Sequence, residues 1–219
     1  MFDLDKAQRL SLTVQVESRL KSALILGMLK PGARLVTKEI AQQLGTSITP
    51  VREALLRLVA SSALDVTPAQ AFLVPAISEC HYQEISTIRK SLEGMAVQKV
   101  TREINKSGLM RLNQLRESFL NARKVSVEAV LKAKRDFYFQ LFNYAEMPTL
   151  MELIEQLWVR IGPSFNYLYP RFDEVSGMTH NYDTLIEALT DRDEAGSVAA
   201  IHKGIMDDFD ILLRQYRGQ

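Results

Sequence analysis

Residues 34–64, RLVTKEIAQQLGTSITPVREALLRLVASSAL, constrain the chain more than any other stretch. Thr37 has the chemistry of an N-cap for a short helix that closes at Leu44-Gly45. Thr49 is placed to cap the next helix, with Pro50 at its first position, where a missing N–H costs nothing. That second helix runs to about Ser61, and Val51, Ala54, Leu55 and Leu58 form its buried stripe. Two short helices joined by a tight turn are how a helix-turn-helix presents a recognition helix to the major groove of double-stranded DNA.

The flanking sequence completes a unit around this core. From Ser11 to Gly27, Leu12, Val16, Leu20, Ala23 and Leu24 recur at helical spacing, and Gly27 marks a stop. Lys30-Pro31-Gly32 reads as a turn. Leu64-Asp65-Val66-Thr67 and Phe72-Leu73-Val74 alternate like two short strands about a Pro68-Ala69-Gln70-Ala71 turn. Three helices and a β-hairpin make a winged helix-turn-helix over residues 8–75. From Ser78 onward every periodic segment predicts helix, at about 78–102, 107–122, 125–143, 148–161, 176–190 and 193–216. The expected fold is mainly α, a winged head followed by an all-α bundle of about six helices over residues 78–217.

Composition limits the function classes. The 219 residues are 47% hydrophobic and 24% charged, as in globular proteins with real cores. No apolar run approaches the roughly 18 residues of a membrane helix. The N-terminal MFDLDKAQRL has early acids and no apolar centre, unlike a signal peptide. The single cysteine, Cys80, excludes an internal disulfide and fits a reducing cytoplasm. Net charge is only +1, but residues 1–75 hold nine Lys/Arg against six Asp/Glu, while the remainder holds 18 against 20. A mildly basic head on a mildly acidic body is compatible with DNA binding by the head.

The mouth of the second helix carries the expected contacts. Ser47 and Thr49 can donate hydroxyls to phosphates beside the positive end of a helix. Arg52, one turn in, can reach a base edge, most favourably O6 and N7 of guanine. Lys38 is placed for a phosphate, and Gln70 at the wing tip for a groove. Each has an ordinary alternative: Thr49 a plain cap, Arg52 a solvated or Glu-paired side chain.

Pro31-Gly32 with Leu35, Glu39-Ile40-Ala41, Leu44-Gly45, Ser47, Thr49 to Leu55 and Leu58 together resemble the N-terminal domain of GntR-type transcriptional regulators over about residues 12–75. The body resembles the FadR/FCD branch, through Ile88-Arg89, Leu92-Glu93 and Ala96, then Phe137, Leu141 and Ala145 through Pro148. The resemblance implies DNA contacts at Lys38, Ser47, Thr49 and Arg52, a homodimer on a near-palindromic operator, and a small-molecule effector in the bundle. Two positions depart from the pattern. Ile48 stands where many relatives have arginine, and the wing tip Pro68-Ala69-Gln70 replaces a glycine-rich turn.

Many FCD domains hold a metal with one Asp and three His. By the same resemblance, Lys134 falls at the Asp position, Tyr138 and Tyr182 at two His positions, and Gly204 near the third. None is a good ligand for a divalent cation, so no metal and no cofactor are expected. Arg89 and Arg160 are then candidate anchors for an anionic effector, since a guanidinium pairs with a carboxylate bidentately. Tyr138, Asn166 and Tyr182 are candidate polar lining. Arg89 can equally brace its helix through Glu93 at i+4, and Arg160 can snorkel from the bundle end. The aromatics Trp158, Phe165, Tyr167, Tyr169 and Phe172 suit a core or a dimer contact. One cysteine and three scattered histidines offer no catalytic constellation. The expected function is effector-responsive transcriptional regulation. The alternatives are a DNA-binding regulator that has lost its effector, and a helical enzyme.

Overall fold

The computed structural model describes residues 11–69, 71–167 and 179–216. Gln70, Tyr169 and Phe172 lie outside the described residues. The head contains α1 (Leu12–Ile25), β1 (Arg34–Leu35), α2 (Thr37–Leu44), α3 (Ile48–Ala60), β2 (Asp65–Val66) and β3 (Phe72–Leu73). The bundle contains α4 (Glu79–Glu103), α5 (Lys106–Ala122), α6 (Val127–Asn143), α7 (Pro148–Ile161), α8 (Thr179–Thr190) and α9 (Glu194–Tyr216), with a 3-10 helix at Gly162–Tyr167 after α7. Helices with a small antiparallel hairpin, then a six-helix bundle, is the expected architecture.

The local chemistry explains most boundaries. Ser11 accepts from the Val14 N–H and starts α1, Ser78 caps α4, Asn105 caps α5 and Ser126 caps α6. Each side chain satisfies an amide that the first helical turn leaves unpaired. Gly45 ends α2 with φ +63, a left-handed conformation that a Cβ disfavours.

Three details differ from the sequence expectation. Val36, not Thr37, caps α2, and Ser47, not Thr49, caps α3, in both cases without a side-chain cap bond. The caps therefore fall one and two residues early, and Pro50 becomes the third residue of α3. It still lies within the turn whose amides have no helical partner. The hairpin also gains a third strand. Arg34 and Leu35 pair with Leu73 and Phe72, giving the antiparallel order β1-β3-β2.

In the head, Val16, Leu20 and Leu24 of α1 are buried, as are Val51, Ala54, Leu55 and Leu58 of α3. Thr13 Oγ1 donates to Glu53 Oε2 at 2.7 Å and ties α1 to α3. In the bundle, α4 and α9 are neighbouring helices, and α7 lies between α4 and the C-terminal end of α1. Gly162 makes that last contact possible. A Cβ there would lie 2.3 Å from the Leu24 carbonyl oxygen and 2.7 Å from Ile25 Cα. Asn166 Nδ2 donates to the Gly27 carbonyl just beyond α1, and to Pro163 O at 3.0 Å. The 3-10 helix is thus the seat of the head on the bundle. Among the described residues no helix is long and apolar enough to cross a membrane.

Candidate nucleic-acid interface and bundle interior

Burying Val51, Ala54, Leu55 and Leu58 turns the opposite face of α3 to solvent. Ser47, Ile48, Thr49 and Arg52 are exposed, and so is Lys38 at the start of α2. Ser47, Ile48, Thr49 and Arg52 share the N-terminal end of α3, where amide N–H groups and the helix dipole favour an anion. Ile48, 52% exposed, leaves an apolar spot in that face. The wing turn is closed by Thr67, whose Oγ1 accepts from the Ala71 N–H at 3.1 Å.

Among the described residues the bundle interior holds two buried ion pairs. Arg89 and Glu93, 2% and 1% exposed, meet through Nε–Oε1 at 2.6 Å and Nη2–Oε2 at 3.3 Å. Trp158 Nε1 donates to the same Glu93 Oε1 at 2.8 Å, and the guanidinium carbon lies 5.0 Å from the Trp158 ring centroid. Burial opposes the Arg89 charge most strongly, but Glu93, by charge and hydrogen bond, together with Tyr82 and Asp208 holds the guanidinium above its ordinary range. Arg89 Nη1 remains buried with no hydrogen-bond partner among the described residues.

The second pair joins α6 to α9. Lys134 Nζ donates to Asp208 Oδ1 at 2.6 Å and Oδ2 at 2.7 Å, and lies 4.8 Å from the Phe165 ring centroid. Burial pushes the Lys134 ammonium down, against the pull of Asp208. Burial likewise pushes the Tyr138 phenol up, with Asp208 adding to the effect, so it stays protonated.

Lys134 and Tyr138 of α6, Tyr182 of α8 and Gly204 of α9 line one cavity with Asn181, Asp207 and Asp208. Its volume is about 10 Å³, room for about one water molecule. A Cβ on Gly204 would lie 3.2 Å from the Tyr138 hydroxyl oxygen, so the phenol fills the space a larger side chain would need. Asn181 Nδ2 donates to Asp207 Oδ2 at 2.7 Å.

The other sequence-selected residues lie elsewhere. Arg89 belongs to the Glu93–Trp158 network. Arg160 donates from Nη2 to His81 Nε2 on α4, which requires that ring nitrogen to be unprotonated. Asn166 sits at the joint with the head. Trp158 and Phe165 are buried and meet edge to face, 5.5 Å between centroids, as core aromatics do. Sequence reasoning missed Asp208, Asp207 and Asn181. Asp208 is 74 residues from Lys134, and no local spacing announces such a partner.

A winged helix-turn-helix head joined to a helical bundle with a polar interior defines a class of bacterial transcription regulators. Residues 12–74 match the bacterial regulatory proteins of the gntR family, and residues 84–205 match the FCD domain. The chain belongs to the GntR family, in its FCD-bearing branch, and is a DNA-binding transcriptional regulator. It is 44% identical over 214 residues to the HTH-type transcriptional regulator McbR of Escherichia coli K12, covering 96% of this chain and 97% of that one. The solved structure of E. coli McbR/YncC superposes with a TM-score of 0.89 over 95% of this chain and 100% of that chain. The Nta operon transcriptional regulator of Aminobacter aminovorans is 25% identical over 86% of this chain and 89% of its own length. Membership in a family of transcription factors argues against the enzyme alternative.

Proposed function

We propose that a cytoplasmic homodimer of this chain binds a near-palindromic operator, with residues 8–75 as the DNA-reading unit and 78–217 as the sensing and dimerising unit. The supporting observation is the exposed mouth of α3, where Ser47, Thr49 and Arg52 stand opposite a fully buried stripe. Ser47, Thr49 and Lys38 hold phosphates, Arg52 reads a base edge, and Gln70 reaches a groove from the wing. One short recognition helix spans too few base pairs for useful specificity, so two copies related by a two-fold axis are required.

Arg52→Ala is expected to cost about 1–3 kcal/mol of affinity for the cognate site and to relax specificity at one position in each half-site. Lys38→Ala is expected to weaken all sequences alike and to reduce the salt slope by about one. Fluorescence anisotropy with specific and scrambled duplexes at several salt concentrations separates the two. Sedimentation is expected to give a dimer at micromolar concentration. A monomer, with and without operator, contradicts the dimer.

The sensing reading places a small metabolite at the cavity, with Tyr138 and Tyr182 as lining and Arg89, which keeps an unpaired buried Nη1, as the anionic anchor. Arg160 and Asn166 would then act through α4 and the head joint instead. A metabolite needs far more than 10 Å³, so α8 or α9 has to move to admit one. That small volume also supports the second reading, a regulator that responds to no small molecule. A thermal-shift screen of small carboxylates divides them, because a ligand bound only by the native state raises the midpoint.

A further inference from the structure

We infer that Lys134, at the position where metal-bearing FCD domains carry their aspartate ligand, is a built-in cation, and that this bundle works with that fixed charge and no divalent metal. The donor set does not fit a metal. The four positions that should supply one carboxylate and three imidazoles supply an ammonium, two phenols and a glycine, and the structure gathers all four around one cavity. Divalent transition metals at such sites take imidazole, thiolate or carboxylate, and a protonated phenol is a poor substitute.

The ammonium is also committed. Both Asp208 oxygens accept from Lys134 Nζ, so the one buried carboxylate on the cavity wall is already spent on a cation. A metal entering here would face the Lys134 charge at contact range in a poorly screened interior. It would also have to displace the Tyr138 phenol from the space beside Gly204. Among the described residues no three His, Cys, Asp or Glu side chains gather into an alternative ligand set.

The fixed charge reaches the head as well. Lys134 lies against the Phe165 ring, and the next residue, Asn166, bonds the Gly27 carbonyl beyond α1. In this chain an internal ion pair, rather than a bound ion, braces the segment on which the DNA-reading unit sits.

The test uses the full-length protein, purified without chelator or a metal-affinity column. Elemental analysis is expected to find less than one-tenth equivalent of Zn, Ni or Mn. Neither EDTA nor millimolar Zn²⁺, Ni²⁺ or Mn²⁺ is expected to move the thermal midpoint by more than about one degree. Lys134→Asp removes the ammonium and leaves carboxylates at 134, 207 and 208 around the cavity. Its midpoint is expected to rise by several degrees with Mn²⁺ or Zn²⁺, or its fold to be restored by them. A stoichiometric metal in the unaltered protein overturns the inference, and so does a Lys134→Asp protein indifferent to all three ions. Metal content and midpoint are read without DNA, so these outcomes are separable from the operator reading.

Discussion

Asp208→Ala is expected to destabilise the protein by about 3–5 kcal/mol, because it strands the buried Lys134 ammonium. The pair itself stabilises far less than that figure, since forming it required desolvating both charges. The double substitution Lys134→Met with Asp208→Leu is therefore expected to recover most of the loss, replacing two charges by apolar groups of similar length. The pH dependence follows from the direction of the Lys134 shift, which burial lowers. A lysine whose folded-state pKa lies below its unfolded value binds fewer protons folded than unfolded, so stability rises with pH across that interval. Removing Asp208 takes away the opposing pull and widens the interval downward. The Asp208→Ala protein should thus regain stability relative to the unaltered protein as pH rises from neutrality into the alkaline range. Urea denaturation at several pH values measures this. A constant difference between the two proteins would contradict the assignment of the loss to a stranded ammonium.

The second large effect is expected at Gly162. Its backbone is right-handed helical, φ −50 and ψ −43, so alanine there should favour the helix by about 0.5–1 kcal/mol on conformational grounds alone. The contact predicts the opposite sign. The added methyl would lie 2.3 Å from a backbone oxygen of α1, and backbone cannot swing aside as a side chain can. Relief requires α1 to lift from the 3-10 helix, and such overpacking costs typically about 1–3 kcal/mol. Gly162→Ala is therefore expected to lower stability and to weaken operator binding, because the head loses its fixed seat. Thermal unfolding together with anisotropy on operator DNA reads both. A neutral or stabilised variant would show that the joint yields without cost.

The contrast between these sites and the recognition helix shows what a sequence carries. Thr49-Pro50-Val51-Arg52-Glu53 announces a helix start because capping and proline preferences act over a few residues, and the period of Val51, Ala54, Leu55 and Leu58 gives its buried face. The same local rules place the six bundle helices to within about three residues at most ends, and Arg89–Glu93 is legible as an i,i+4 pair. They fail where the physics is not local. Ser47, in extended backbone and without a side-chain cap bond, takes the cap in place of Thr49, so side-chain capping chemistry does not mark where this helix begins. The two-residue strand Arg34–Leu35 exists only through pairing with β3, so it leaves no alternation to detect. Asn166 appears as pocket lining in sequence and as a head contact in space, since its partner is a backbone carbonyl 139 residues away. Asp208 is silent for the same reason. The resemblance to FCD domains carries the cavity: it names Lys134, Tyr138, Tyr182 and Gly204 as neighbours, and the fold brings them together.

The central claim, that α3 of a dimer reads a two-fold-related DNA site, is tested most directly by selection from a pool of randomised duplexes. The unaltered protein and Arg52→Ala are run side by side at fixed salt. The unaltered protein is expected to enrich one near-palindromic motif, and Arg52→Ala to lose preference at one symmetric pair of positions within it. Enrichment of no motif, or of the same motif to the same degree by both proteins, would contradict it.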